Sequence, residues 1–446
     1  MQISDLFLTP VYLFILFQVL FMIRKKECGK SIIKKYFIPA AFAKVIGSIC
    51  LGLIYYFYYK GGDTVAFHKG VEIMYKIFQE DPVLWFQTLV RNCEVRMTPE
   101  QYKYFTIYPY IYDNASFFVI RICSLFAIID FNSYTVNAIL LGMFSFSGSW
   151  ALFKTFLYEY PELHKQLSYA IFFIPSVVFW GSGMLKDTIT FGALGWLVFA
   201  FYQLFIIRNF NLKNWVIFTI SVFLLVHIKI YILMSFVPAM VIWLFLTYNQ
   251  KIKSVITRLL FVPLLIIFSM YLGLFVTQKL AEQDDQYKFE NLGNKAKITN
   301  EWLAYLTKSQ NGSYYDLGEI EYTPLGMLKV FPKAVNVSLF RPYLWESKNP
   351  VMLLAALEST FFLLFTLYAI FNVGLKNILS VLWQNHMVIS FLIFSIGLSF
   401  AVGLTSTNFG TLVRYKIPIM PFYIISIYLI NIKAVPKREH IIAIKT

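Results

Sequence analysis

Charge is scarce in this chain. Asp, Glu, Lys and Arg supply 14% of its 446 residues while 58% are hydrophobic and 19% aromatic; a soluble domain carries about 25% charge. A water-soluble globule is excluded on that ground, and disorder is excluded by the same surplus of apolar side chain. Cysteine is scarce too: Cys28, Cys50, Cys93 and Cys123 form no CxxC and no metal-ligand spacing, so they read as structural thiols and not as a disulfide framework. The chain has no P-loop, no HExxH, no GxSxG, no internal repeat, no low-complexity tract and no heptad run.

Long apolar runs are what the chain has. A helix of about 20 apolar residues crosses the hydrocarbon core of a bilayer and satisfies its own backbone polar groups there. The hydropathy pattern predicts an all-α, polytopic, single membrane domain over 1–446. Its eleven crossings fall near 6–23, 37–59, 134–156, 167–183, 188–207, 214–228, 231–248, 255–276, 351–373, 384–403 and 414–432. The first run reads as a span and not a signal peptide, because no basic residue precedes it and Arg24, Lys25 and Lys26 follow it.

The net charge of +15 is a topology signal. Lys and Arg crowd the 24–35 loop, the short loops around Arg208 and Lys251, and the tail after 432, which places those segments in the cytoplasm. Two long polar segments are balanced, with six basic and seven acidic residues over 60–115 and nine of each over 278–350. They are expected outside as two long loops with amphipathic helices, the second folding over the outer face as a lid or platform. No nucleic acid is needed to explain the charge. The stretch 117–129 is apolar but 13 residues long and carries Arg121; a crossing there would turn the later basic loops outward, so an interfacial or re-entrant helix is expected.

A charge at membrane depth costs roughly 2.5–3.5 kcal/mol on insertion scales and is a functional candidate by default. Lys44 lies near the cytoplasmic end of its span and reads as a snorkelling residue. Asp130 reads as a helix cap, and Glu358 as either a buried partner or a functional acid. Arg121, Lys186, Lys229, Arg414 and Lys416 all map to the outer surface, with Asp187 beside Lys186. Taken singly each is an interfacial anchor; taken as a set they form a phosphate or diphosphate site, which wants charge-assisted hydrogen bonds. Asp63 follows Gly61-Gly62 at the exit of the second span. It is the candidate general base or ligand of a divalent cation, with a helix cap as the plain alternative. His68 has no partner at ligand spacing and reads as structural.

The layout resembles polyprenyl-phosphate-dependent glycosyltransferases of the GT-C fold class. Gly62-Asp63 with 64–115 is similar to their first outer loop and its catalytic Asp. Arg121-Ile-Cys-Ser124 is similar to the R-x-x-S helix of bacterial members, and Pro175-Ser176 to Lys186-Asp187 to their proline-containing span and polar turn. His227-Ile-Lys229 stands where several members keep a lysine for the carrier phosphate. The likeness covers about 60–250 and departs from the family pattern at Thr64, where an acidic partner is usual, and in the extra span before the loop. The resemblance implies Asp63 as base or metal-linked acid, with Lys229 and Arg414 on the phosphate. It implies a polyprenyl-linked sugar donor, a glycan, lipid or protein acceptor, and an active site on the outer face of a bacterial inner membrane. Leu339-Phe-Arg341-Pro-Tyr-Leu-Trp-Glu346 with Asn408–Pro421 also resembles O-antigen and exopolysaccharide polymerases, which implies Arg341 and Arg414 as diphosphate ligands. A transporter or flippase of lipid-linked sugars is a third reading; transporters keep their sites near the midplane, often with paired repeats and broken helices.

Overall fold

The computed structural model describes residues 3–29, 31–91, 93, 95–105, 108–248, 264, 297–298, 301, 314–318, 320–321 and 324–433. Among these the chain is helical without a β-strand, and one isolated antiparallel bridge joins Tyr314 to Asn408. Seven described helices are long and apolar enough to cross a membrane, and an eighth crossing is formed if the bent pair Phe409–Tyr415 and Met420–Asn431 counts as one span. The protein is an all-α integral membrane protein.

Contacts divide the chain into two units, Met1–Ile230 and Tyr231–Thr446. The first holds α1 (Ile3–Cys28), α2 (Lys34–Leu53), α3 (Asp63–Glu80), α4 (Pro82–Val90), α5 (Pro99–Phe105), α6 (Asn114–Asp130), α7 (Tyr134–Glu159), α8 (His164–Phe172), α9 (Pro175–Trp180) and α10 (Lys186–Phe201). Its last helix, α11 (Leu212–Tyr248), is broken at Lys229 (φ −148°, ψ 76°) just before the boundary. Unbroken, its 37 residues would measure roughly 55 Å, well beyond the roughly 30 Å hydrocarbon core. The break falls between the expected crossings 214–228 and 231–248.

Small residues set the packing of the first unit. Gly148 on α7 lies against the Gly192 backbone of α10, where a Cβ at 148 would sit 2.6 Å from Gly192 Cα. Such contact is how membrane helices gain van der Waals energy that lipid cannot supply. Phe37 of α2 packs edge-on to Trp150 of α7 at 4.8 Å between ring centroids. At one end of the unit Tyr56, Tyr134 and Thr64 meet: the Tyr rings are 4.9 Å apart and Thr64 Oγ1 lies 2.8 Å from Tyr134 Oη. Lys154 pairs with Glu27 at 3.0 Å at the other end, next to the basic 24–35 loop.

Two expectations need correction here. The 167–183 stretch is not one helix: α8 stops at Phe172 and Pro175 starts α9, because proline lacks the N–H that a continuing helix needs. Lys44 does not snorkel; it is 1% exposed, for a reason taken up below. The expected 37–59 span is present as Lys34–Tyr58, with its last turn π-helical over Ile54–Tyr58. The expected crossing at 255–276 lies outside the described residues apart from position 264, as does most of 278–313.

In the 60–115 loop α3 buries Thr64, Phe67, His68, Val71, Met74 and Ile77, the i, i+3, i+4 face of an amphipathic helix. α6 is 17 residues long and buries Phe117, Ile120, Cys123 and Ala127, so it lies against the bundle. Asp130 Oδ1 accepts the Ser133 amide at 3.2 Å, and Ser133 in turn caps α7.

His68 is 4% exposed. Burial pushes its imidazole down to about 4, Asp5 opposing, so it enters the fold neutral. The unfolded imidazole titrates near about 6.5. Between those two values only the unfolded chain binds the proton, so His68 makes stability fall as pH drops from about 6.5 to about 4. His68→Phe is expected to flatten that part of the thermal midpoint-against-pH curve in detergent; an unchanged slope would show that His68 titrates equally in both states.

The second unit holds the arm of α11 from Tyr231 and the helices Pro324–Lys329, Phe331–Phe340, Pro350–Val373, Leu375–Gln384, His386–Thr405, Phe409–Tyr415 and Met420–Asn431. Its core is aromatic: Phe394 lies 5.2 Å from Phe236 and 5.1 Å from Phe422. The last two helices are bent by 68°.

Candidate functional site

One end of the first unit gathers five of the sequence-derived candidates. The chain leaves α2 through the π-helical turn and reaches Gly62 at φ 104°, against the Tyr55 ring. Only glycine takes that backbone freely. Gly62 thereby occupies the N-cap position, and Asp63 is the first helical residue of α3. The capping alternative for Asp63 is therefore replaced: the half-buried carboxylate stands on the first turn, where the helix dipole favours negative charge. Tyr55 also packs edge-on to Trp180, 6.3 Å away, so the Asp63 turn abuts the segment leading to α10.

That segment ends at Lys186-Asp187, on the first turn of α10. Asp187 is 1% exposed and holds Lys229 Nζ at 2.5 Å, itself 6% exposed. The partners come from two helices, and Lys229 sits at the break in α11. A charged pair out of water is stable only with such short, charge-assisted geometry. Lys186 turns the other way, its Nζ donating to Asp113 Oδ2 at 2.8 Å. Asp113 also caps α6 through the Ser116 amide. Burial raises the Asp113 carboxyl, but the Lys186 ammonium and the Ser116 bonds outweigh it and hold the group below the usual carboxylate range.

Arg121 lies on α6 two turns beyond Asp113. Its Nη2 donates to the Arg91 carbonyl, its guanidinium covers the Phe117 ring at 4.6 Å, and Cys93 Sγ is 3.9 Å away. In this state it fastens the 91–95 loop, whose carbonyls at 93 and 95 Arg91 also holds.

Arg341, Arg414 and Lys416 belong to the second unit. The Arg341 guanidinium is clasped by the Glu346 carboxylate, with Nε at 3.0 Å and 3.1 Å from its oxygens and Nη2 bonded as well. Phe409, Tyr315 and Tyr343 surround it, 5.2 Å, 5.7 Å and 5.7 Å from their ring centroids. Lys416 is fully buried and donates to Ser359 Oγ at 2.8 Å and to the Arg341 carbonyl at 3.2 Å. Arg414, half-buried, lies over Tyr415 at 5.4 Å.

The expected set thus falls into two groups, Arg121, Lys186 and Lys229 in one unit and Arg341, Arg414 and Lys416 in the other. Lys186, Lys229 and Arg341 each carry a carboxylate partner. Asp113 and Glu346 were missed as partners. Asp113 had a readable signal in Asp-x-x-Ser ahead of an apolar run, and Glu346 had none beyond proximity in sequence. Among the described residues no group of three or more His, Cys, Asp or Glu side chains is placed to hold a metal. Comparison with known proteins returns no matching family model, no matching curated protein and no matching solved structure.

Proposed function

We propose that the protein is a membrane glycosyltransferase that moves a sugar from a polyprenyl-phosphate carrier to a glycan, lipid or protein acceptor at the outer face of a bacterial inner membrane. The observation that carries this reading is the buried Asp187–Lys229 pair at a helix break, at the same end of the unit as Asp63 and Lys186–Asp113. In the reaction the acceptor hydroxyl attacks the anomeric carbon and gives its proton to Asp63. The bond from that carbon to the phosphate oxygen breaks, and the leaving carrier phosphate draws Lys229 and Lys186 from their carboxylates. Ammonium groups that pass from carboxylate to phosphate stabilise the developing anion through charge-assisted hydrogen bonds. The basic 24–35 loop lies at the opposite end of the unit, as the positive-inside rule asks of a cytoplasmic end.

One observation favours transport of the lipid-linked sugar as the second reading: breaks at Lys229 and between Tyr415 and Met420 interrupt apolar helices, as in many transporters. Mass spectrometry of polyprenyl-linked glycans from a deletion strain separates the readings. A single-sugar polyprenyl phosphate that accumulates, and is cleared by wild type but not by Asp63→Asn, supports the transferase. A complete diphosphate-linked repeat accumulating on the outer face points to a polymerase, and accumulation confined to the inner leaflet points to transport. An unchanged lipid pool rejects all three.

A further inference from the structure

Lys44 is buried in the middle of the first unit. Its Nζ donates to the Val177 carbonyl at 2.9 Å and the Gly181 carbonyl at 2.8 Å, and lies 5.0 Å from the centre of the Phe191 ring. No carboxylate is among these hydrogen-bond partners. A polar amine held away from water is costly, and an apolar side chain of the same length would fill the space without that cost. The amine therefore has a task at this position.

The task is visible in what it touches. α9 ends at Trp180; the Val177 carbonyl accepts the Gly181 amide at 3.1 Å, while the Gly181 carbonyl lies beyond the helix, and in a membrane interior no water takes the place of a helical partner. A cation at a helix C-terminus is electrostatically favoured as well. Lys44 does not act by itself. Ser145 Oγ donates to the same Gly181 carbonyl at 2.7 Å, Ser48 Oγ accepts the Gly183 amide at 3.1 Å, and Ser182 Oγ donates to the Val178 carbonyl at 2.6 Å. Lys44, Gly47, Ser48 and Leu51 share one face of α2 at i, i+3, i+4 and i+7. Gly47 is bare there because a Cβ would sit 2.9 Å from Ser182 Oγ and closer still to the Val178 carbonyl. The whole face is shaped to seat residues 177–183, the irregular stretch that delivers the chain to Lys186-Asp187.

We infer that Lys44 is a positioning residue: its Nζ, with Ser145 and Ser48, fixes the 177–183 segment so that the start of α10 presents Asp187 to Lys229. The structural part stands on contacts alone, and the effect on turnover rests on the transferase reading. The sugar-transfer site is then built from three layers. Asp63, Lys186 and Lys229 face the reactants, Asp187 lies behind them and holds Lys229, and Lys44 holds the backbone from which Asp187 springs.

The test uses the full-length protein in detergent micelles and a double-mutant cycle of Lys44→Met with Asp187→Asn, read as thermal midpoints. If Lys44 positions Asp187, the two losses overlap and the double variant falls well short of their sum. Losses that add, as for independent sites, overturn the inference. Should Lys44→Met fail to fold, Ser145→Ala, which removes the other donor to the same carbonyl, takes its place in the cycle under the same criterion. With an active preparation, Lys44→Met or Ser145→Ala is expected to lower kcat by about tenfold or more while KM stays within about twofold, the mark of an interaction felt in the transition state. A rise in KM with kcat unchanged overturns the positioning role. If the wild type turns over no lipid-linked sugar, the transferase reading fails while the stability cycle still decides the role of Lys44.

Discussion

Asp187→Asn is expected to lower folding stability by about 3–5 kcal/mol, because it strands the Lys229 ammonium in a site built for a pair. Lys229→Met is expected to cost a similar amount by stranding the carboxylate. Both partners are almost fully enclosed, 1% and 6% exposed, so water cannot compensate for the missing one as it does at the surface. The double variant Asp187→Leu/Lys229→Met is expected to recover most of the loss, since replacing both members of a buried pair with apolar groups is often neutral or stabilising by about 1–4 kcal/mol. Reversible unfolding in mixed micelles measures all three. Single-variant losses under about 1 kcal/mol would place the pair in a hydrated setting. The double variant also separates stability from function: a protein that folds well and no longer turns over its substrate would assign the pair to chemistry.

Gly148→Val is expected to abolish the folded protein. The added Cβ would meet Gly192 Cα at 2.6 Å and its carbonyl more closely. The obstacle is backbone, which cannot move aside as a side-chain tip can. The cost should exceed the about 1–3 kcal/mol of ordinary overpacking, since α7 and α10 must part along their length and lipid gives no hydrophobic push to bring them back. Size-exclusion chromatography of a fluorescent fusion reads the outcome as loss of the monodisperse peak. Gly397→Ala is the control, since a Cβ there meets nothing within 4 Å. A normal profile for Gly148→Val would show that the two helices tolerate separation and that their glycine contact is dispensable.

The two variants probe different levels of the molecule, and the sequence reveals those levels unequally. Hydropathy located the apolar helices among the described residues to within a few residues: 134–156 became Tyr134–Glu159, 351–373 became Pro350–Val373 and 384–403 became His386–Thr405. It failed at 167–183, where the apolar average hid the break around Pro175. Gly61-Gly62 before Asp63 marked a sharp exit from α2, and the φ of 104° at Gly62 is what two glycines there permit. The role of Lys44 was misread because its distance from the end of a span says nothing about which face of the helix it occupies. The cations at 121, 186 and 229 were legible as residues, but their engagements with the Arg91 carbonyl, Asp113 and Asp187 were not.

What the sequence by itself determined is the class: an all-α membrane protein with long apolar helices. Those follow from free energies summed over local windows, because the transfer of about 20 consecutive side chains into hydrocarbon does not depend on what lies beside them. The tertiary structure alone decided the partners. It turned Lys44 inward to two carbonyls, joined Asp187 to Lys229 across 42 positions of chain and closed Glu346 on Arg341. In a low-dielectric interior a charge is stable only where a complementary group meets it within hydrogen-bonding distance. Which group does so is set by helix faces brought together from distant parts of the chain, and no local window contains that information.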